Sequence, residues 1–128
     1  MVAPQDETGF SYEFSNLGRA SDPLLTKGTT TFNTTAAVYI ILVQWSTDYY
    51  NGATGKVDML YELIDVKTNK PVQSERVYEQ LTSQNKTIGW SNVPAGSYKV
   101  RLTNKGAGYG HGNGFVRVLD EPRKDQFL

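Results

Sequence analysis

The chain contains no cysteine among its 128 residues. Disulfide scaffolds, thiolate metal sites and cysteine nucleophiles are therefore excluded. The chain also lacks an excess of charge of either sign, because 13 Lys and Arg residues balance 13 Asp and Glu residues. Proteins that bind nucleic acid or anionic membranes usually carry a basic excess, so this balance argues against both kinds of partner.

Long hydrophobic runs and sustained helical periodicity are missing as well. The longest apolar run, from Ala36 to Val43, is far shorter than the roughly 20 residues that span a bilayer, so we predict no membrane insertion. The segment from Met1 to Glu7 has neither the basic nor the apolar region of a signal peptide. Such a start fits a mature exported domain and a cytosolic protein equally well.

Residues that favour β-structure are abundant instead. The chain has eight Tyr, five Phe and two Trp, together with many Thr and Val. Turn signals recur about every ten residues, a spacing typical of sandwiches and barrels. We therefore predict an all-β domain over residues 10–119, a two-layer antiparallel β-sandwich of seven or eight strands with jelly-roll-like connections. Residues 1–9 are predicted to be a flexible N-terminal segment, and residues 120–128 a polar C-terminal tail.

Eight segments have the composition of strands. The third is apolar on both faces through Val43, so we expect it to lie centrally and to be buried on both sides. The second is polar and the fifth contains Pro71, which cannot donate to a ladder, so both are predicted at sheet edges. The segments are Phe10–Phe14, Thr29–Asn33, Ala37–Ser46, Lys56–Val66, Pro71–Tyr78, Lys86–Trp90, Ser97–Thr103 and Gly114–Leu119.

A glycine-rich stretch runs from Gly106 to Gly114 and contains the single histidine of the chain, His111. Glycine recurs at every second position. Because glycine has no side chain to pack and a high backbone entropy, the stretch predicts an adaptable solvent loop after the seventh strand, over residues 104–113.

Strand counting brings two loops together. If neighbouring strands run antiparallel, the loop over residues 47–55 and the loop over residues 104–113 leave the same end of the sandwich. Loops on a rigid scaffold often carry binding residues, and tyrosine gives contact area at a low entropic cost. The predicted ligand-binding residues are Asp48, Tyr49, Tyr50, Asn51, Tyr109, His111 and Asn113.

In this site the tyrosines would stack on a sugar, while Asp48 and Asn113 would orient its hydroxyl groups. The open alternative is that Tyr49 and Tyr50 cap the core and that the glycines form a plain solvent loop.

Signals for catalysis and metal binding are weak. The chain has no second histidine, and only Asp48 is expected as an acidic neighbour of His111. His111 therefore lacks the partners that a metal ligand or a general base needs. No serine elbow or phosphate-binding loop is present. Asp58 and Glu62 fit a solvated strand face better than a glycosidase pair. We predict no enzymatic activity and no cofactor; calcium would suit a secreted sandwich, but no dense run of Asp and Asn ligands supports it.

The segment from Ile88 to Leu102 contains a turn at Pro94–Gly96. After the turn, Tyr98, Val100 and Leu102 alternate with basic residues. It resembles the strand–turn–strand of bacterial pre-peptidase C-terminal domains, and carbohydrate-binding modules share this turn. The resemblance implies a small, secreted, jelly-roll-like sandwich and an extracellular location. It carries over no functional residue.

The leading prediction is therefore a non-enzymatic exported binding or accessory domain. Its expected partner is a carbohydrate or cell-surface polymer, held by loops at one end of the sandwich. The alternative is a structural subunit of an extracellular fibre, coat or matrix that self-associates by strand addition. The polar edge from Thr29 to Thr35 favours this alternative, because an exposed edge can accept a strand from a neighbour.

Overall fold

The computed structural model describes residues 9–18, 23–47, 57–106 and 108–120. Within these ranges the chain forms nine β-strands, and no segment there is a helix able to cross a membrane. The strands are β1 (Phe10–Leu17), β2 (Leu24–Leu25), β3 (Thr30–Phe32), β4 (Ala36–Thr47), β5 (Met59–Asp65), β6 (Lys70–Val77), β7 (Leu81–Val93), β8 (Gly96–Asn104) and β9 (Tyr109–Asp120).

The strands form two antiparallel sheets. The front sheet has the order β1-β9-β4-β7, and the back sheet has the order β2-β8-β5-β6, with β3 also paired to β8. Because β2 and β3 follow one another along β8, they act as one interrupted strand. The first strand then pairs with the last, the second with the next to last, and so on inward. This nested pairing is that of a jelly roll, which confirms the predicted fold.

The described residues contain nine strands, one more than the eight segments that the sequence predicts. The difference is the two-residue strand β2, Leu24–Leu25, which is too short to show any alternation in the sequence. The predicted positions of three other strands are confirmed. β4 is central because it pairs with both β7 and β9, whereas β3 and β6 each pair with a single neighbour and lie at edges.

The core lies between the inner faces of the two sheets. Side chains alternate across each strand with a period of two, so every second residue of β4, β5 and β8 points inward. The inward set is almost completely buried, and each such aliphatic side chain contributes about 1.5–3 kcal/mol on burial. It includes Val38, Ile40, Leu42, Tyr61, Leu63, Val100 and Leu102.

One buried polar group, Gln44 of β4, is fully hydrogen-bonded inside this core. Its Nε2 donates to the carbonyl oxygens of Val77 and Glu79, both at 3.0 Å, and its Oε1 accepts from the hydroxyl of Tyr61 at 2.9 Å. Because its donors and its acceptor are all engaged, Gln44 can be buried without a large desolvation penalty. The bonds tie the central strand to the corner at which β6 passes into β7.

Two expectations about burial and loops are wrong. The first is that β4 is buried on both sides. Its inward residues are buried, but Tyr39, Ile41 and Val43 on the outer face are only half-buried. The described residues provide no layer over that face of the front sheet.

The second wrong expectation is the solvent loop over residues 104–113. β8 continues to Asn104 and β9 begins at Tyr109, so most of the glycine-rich stretch is strand. The glycines face inward, where aromatic side chains of β1 approach β9 closely. A Cβ on Gly112 would lie 2.5 Å from the carbonyl oxygen of Val43 and 2.9 Å from the ring of Phe14. A Cβ on Gly114 would lie 2.5 Å from the Tyr12 hydroxyl, so glycine is required here by close packing.

The outer face of the back sheet carries ion pairs. The guanidinium of Arg101 donates to Glu62 Oε1 at 2.8 Å, and that of Arg76 donates to Asp58 through two bonds. Asp58 and Glu62 therefore each have a basic partner, and both are half-buried, which is less solvated than the sequence predicts.

Candidate binding face on the front sheet

The outer face of the front sheet, here called the front face, carries a row of apolar and aromatic side chains. Phe115 is 40% exposed and Leu119 is 37% exposed. Contiguous exposed apolar surface in a small protein usually marks a site of interaction. The apolar and aromatic residues of β4 and β9 on this face include Tyr39, Ile41, Val43, Trp45, Tyr109, Phe115 and Leu119.

At one end of the front face, Trp45 and His111 form a stacked pair. They are direct cross-strand partners between β4 and β9. Their ring centroids are 5.8 Å apart and their planes differ by 11°. Both residues are half-buried, so part of the pair remains accessible to solvent.

Hydrogen bonds on both ring nitrogens hold His111 in place. Nε2 lies 2.7 Å from Thr47 Oγ1, while Nδ1 lies 3.2 Å from both the backbone nitrogen of Asn16 and Ser15 Oγ. Because the Asn16 N–H can only donate, Nδ1 is the acceptor, and in the neutral ring the hydrogen lies on Nε2 and is donated to Thr47. The imidazole is thus fixed by neighbouring strands on both sides, and its plane sets the plane against which Trp45 stacks.

The bonds from Ser15 and Asn16 to His111 depend on the local backbone of β1. The register between β1 and β9 shifts between Phe14 and Leu17, and Asn16 has a φ of 57°. Asparagine is one of the few residues that adopts this left-handed conformation readily. A bulge of this kind redirects a strand locally, and here it turns the Asn16 N–H toward His111.

A polar row lies next to the stacked pair. Asn113 is two residues along β9 from His111 and points to the same face, and its partners in the register are Glu13 of β1 and Val43 of β4. Tyr109 is paired with Thr47 on the other side of His111. The front face therefore combines flat rings with a carboxylate, an amide and hydroxyl groups within a few residues.

The structure brings together the predicted residues that it describes, but on a strand and not in a loop. Tyr109, His111 and Asn113 occupy alternate positions of β9 and share the front face. The predicted residues Asp48, Tyr49, Tyr50 and Asn51 lie outside the described residues. The chain enters that segment from Thr47, which is the partner of Tyr109, so β4 ends where β9 begins.

Sequence reasoning missed Trp45, Thr47, Ser15, Asn16 and Glu13 as parts of the site. A signal for Trp45 was present, because it lies on the opposite side of the alternation from the inward residues Leu42 and Gln44 of the same strand. The contributions of Ser15 and Asn16 depend on a bulge, for which the sequence gives no local sign.

Among the described residues no group of three or more His, Asp or Glu side chains is placed to hold a metal ion. The side chains of the front face offer ring stacking and hydrogen bonding.

No known protein family matches the chain in sequence, and no curated protein matches it. Solved structures resemble it in fold. A glycosylation-associated protein complex from Streptococcus agalactiae matches with a TM-score of 0.50 and 15% identity, over 94% of this chain and 22% of that chain. A subviral particle of infectious bursal disease virus matches with a TM-score of 0.42 and 10% identity, over 91% of this chain and 34% of that chain.

A 4-O-methyl-α-glucuronidase with specificity for decorated arabinogalactans matches with a TM-score of 0.42 and 12% identity. The match covers 85% of this chain and 16% of that chain. The chain thus spans a minor part of each of these larger proteins. At such identities the likeness concerns the fold alone.

Proposed function

We propose that the protein is a non-enzymatic binding domain that recognises a carbohydrate through the front face. The observation that carries the proposal is the accessible Trp45–His111 stack, which lies beside the hydroxyl of Thr47 and the amide of Asn113. A sugar ring presents C–H groups on its flat side and hydroxyl groups at its rim. It therefore binds best where an aromatic plane and hydrogen-bonding groups occur together.

The hydrogen bonds that fix His111 support the proposal because they lower the entropic cost of binding a ligand. Binding orders mobile side chains at a cost of about 0.5–1.5 kcal/mol each. His111 is already fixed by Thr47, Ser15 and Asn16, and Trp45 is stacked against it. A ligand would therefore meet a surface whose shape is largely set before binding.

The proposal also states where the protein acts. The turn around Pro94 and Gly96 resembles those of secreted bacterial sandwich modules, so we propose that the domain acts outside the cell as an accessory or adhesive part of an exported protein. The predicted residues Asp48, Tyr49, Tyr50 and Asn51, which follow Thr47 in the sequence, remain part of the proposed site.

The test is a binding panel of cellulose, mannan, xylan and β-1,3-glucan with the wild-type protein and Trp45→Ala. We expect the wild type to bind at least one polymer and Trp45→Ala to weaken that binding by about 10-fold or more, because a stacking platform contributes on the order of 1–3 kcal/mol. Affinity electrophoresis and calorimetry both report this change.

Tyr78→Ala is the matched control, since Tyr78 is 59% exposed and contacts Arg76 on a different part of the surface. It removes an exposed aromatic ring without touching the front face, so its binding should equal that of the wild type. Absence of binding to all four polymers, or equal binding by Trp45→Ala and the wild type, would contradict the proposal.

A second candidate is the structural subunit that assembles by strand addition, and the specific observation that favours it is a long edge strand. β7 has 13 residues and pairs only with β4 among the described strands. An edge strand of this length can accept a neighbouring strand. Sedimentation at increasing concentration tests the idea: assembly that stops when residues 1–9 are removed would support it, and a monomer at all concentrations would exclude it.

A further inference from the structure

A cleft of about 610 Å³ opens beside β1, at the border of the front face. One side is formed by residues 11–13 of β1 and residues 113–114 of β9, of which Ser11, Glu13 and Asn113 belong to the outer side of the front sheet. The facing wall is the segment from Leu24 to Gly28, which includes β2. The cleft is therefore continuous with the surface that carries Trp45 and His111.

The facing wall is held in place by hydrogen bonds to β8. The ammonium of Lys99 donates to the carbonyl oxygens of Thr26 at 3.1 Å and of Lys27 at 2.8 Å. The backbone N–H of Val100 donates to Thr26 Oγ1 at 3.1 Å, and that hydroxyl donates to the carbonyl of Gly28 at 3.2 Å. A segment fixed at this many points gives the cleft a defined width.

The chemistry of the cleft suits a neutral, hydroxylated group. Glu13 accepts hydrogen bonds, Lys27 donates them and Asn113 does both, while Leu24 and Leu25 add apolar contact. The opposite charges of Glu13 and Lys27 leave no net preference for an anion or a cation. The volume falls within the range of small-molecule sites, roughly 300–1,000 Å³, and is sufficient for one or two sugar rings.

The position of Asn113 connects the cleft to the aromatic platform. Asn113 lines the cleft and lies two residues from His111 along β9, a separation of roughly 7 Å. A polymer chain resting on Trp45 and His111 would therefore pass the mouth of the cleft within the length of about one or two sugar units.

From this arrangement we infer that the front face recognises a branched polysaccharide, with its main chain on the Trp45–His111 platform and a neutral sugar side group in the cleft beside β1. The inference rests on the proposed carbohydrate-binding function and adds the class of ligand. The cleft would then give specificity for the substituent, while the platform would supply binding that is common to substituted and unsubstituted chains.

The test compares linear and substituted oligosaccharides that share a main chain, chosen according to the polymer bound in the panel. The pairs are cellotetraose with its xylosylated heptasaccharide, mannopentaose with galactosyl-mannopentaose, xylopentaose with arabinosyl-xylopentaose, and laminaripentaose with its 6-O-glucosylated form. By calorimetry we expect the wild type to bind the substituted member about 10-fold more tightly. In the double variant Glu13→Ala, Lys27→Ala the two members should bind within about 2-fold of each other.

A matched control removes one exposed acid and one exposed base elsewhere. Glu75→Ala, Lys70→Ala changes two residues of the edge strand β6, in the back sheet, and should preserve the preference of the wild type. Equal or weaker binding of the substituted member by the wild type overturns the inference. So does a preference that survives in the double variant, while the proposed function stands in both cases. If the wild type binds none of the polymers and none of the oligosaccharides, the proposed function itself is overturned.

Discussion

Gly112→Ala is expected to destabilise the domain by about 3 kcal/mol, which lowers the melting temperature by roughly 10 °C in a domain of this size. The added methyl group would lie 2.5 Å from the carbonyl oxygen of Val43 and 2.9 Å from the ring of Phe14. The nearer of these atoms belongs to the backbone of the central strand β4, which cannot move without disturbing the ladder with β9. Urea denaturation and thermal unfolding measure the loss.

Gly110→Ala is the matched control, because Gly110 lies two residues away on the same strand and faces the same way. Its nearest neighbours would be the sulfur of Met59 at 3.2 Å and the ring of Phe14 at 3.5 Å. Methionine is flexible and can yield, so this substitution should change the free energy of unfolding by less than about 1 kcal/mol. If the two variants were equally stable, the close approach of β4 to Gly112 would be contradicted.

The glycine positions show where sequence reasoning succeeds and where it stops. A period of two is a strand signal, and it is present in the glycines themselves as well as in Tyr109, His111 and Asn113. Glycine alone, however, is equally compatible with a loop. What decides between them is the pair of aromatic residues Tyr12 and Phe14 at the other end of the chain, whose rings fill the space that the glycines leave.

The fold class could be predicted from the sequence because the evidence for it is local. Alternating apolar residues in β5 and β8, the proline of β6 and the turn at Pro94–Gly96 each carry their meaning within a few positions. Nested pairing then follows for a chain whose connections return across a sandwich. The two-residue strand β2 could not be predicted from the sequence, since its pairing with Leu102 and Arg101 depends on the path of the chain and not on its own two leucines.

The site was only partly predictable for a related reason. Side-chain type identified Tyr109, His111 and Asn113, but the contact of His111 with Trp45 exists only in one register of β4 against β9. A slip of one residue would move Trp45 to the inner face. The bonds from Ser15 and Asn16 need in addition a bulge in β1, so they become visible only when all three strands are in place.

Raising the pH above 10 is expected to remove stability steeply, because the hydroxyl groups of Tyr12 and Tyr61 are buried. Burial raises the pKa of Tyr12, and burial together with the nearby Tyr12 raises the pKa of Tyr61. Tyrosine in the unfolded chain ionises near pH 10, so above that pH the unfolded state loses its protons while the folded state keeps them. The stabilising effect is complete below pH 10 and decreases above it by about 1.4 kcal/mol per pH unit for each of the two residues. Urea midpoints between pH 8 and 12, with tyrosinate absorbance near 295 nm, measure the slope.

Tyr61→Phe separates the two contributions to this slope. The variant loses the hydrogen bond to Gln44 Oε1, so at pH 8 it should be about 1–2 kcal/mol less stable than the wild type. Above pH 10 its stability should fall less steeply than that of the wild type, since Tyr12 and Tyr98, whose pKa values are also raised by burial, remain. Tyr78→Phe, which changes an exposed ring, should keep the wild-type slope. An unchanged slope in Tyr61→Phe would mean that the alkaline transition arises elsewhere, whereas a shallower slope would assign part of the transition to the Tyr61 hydroxyl.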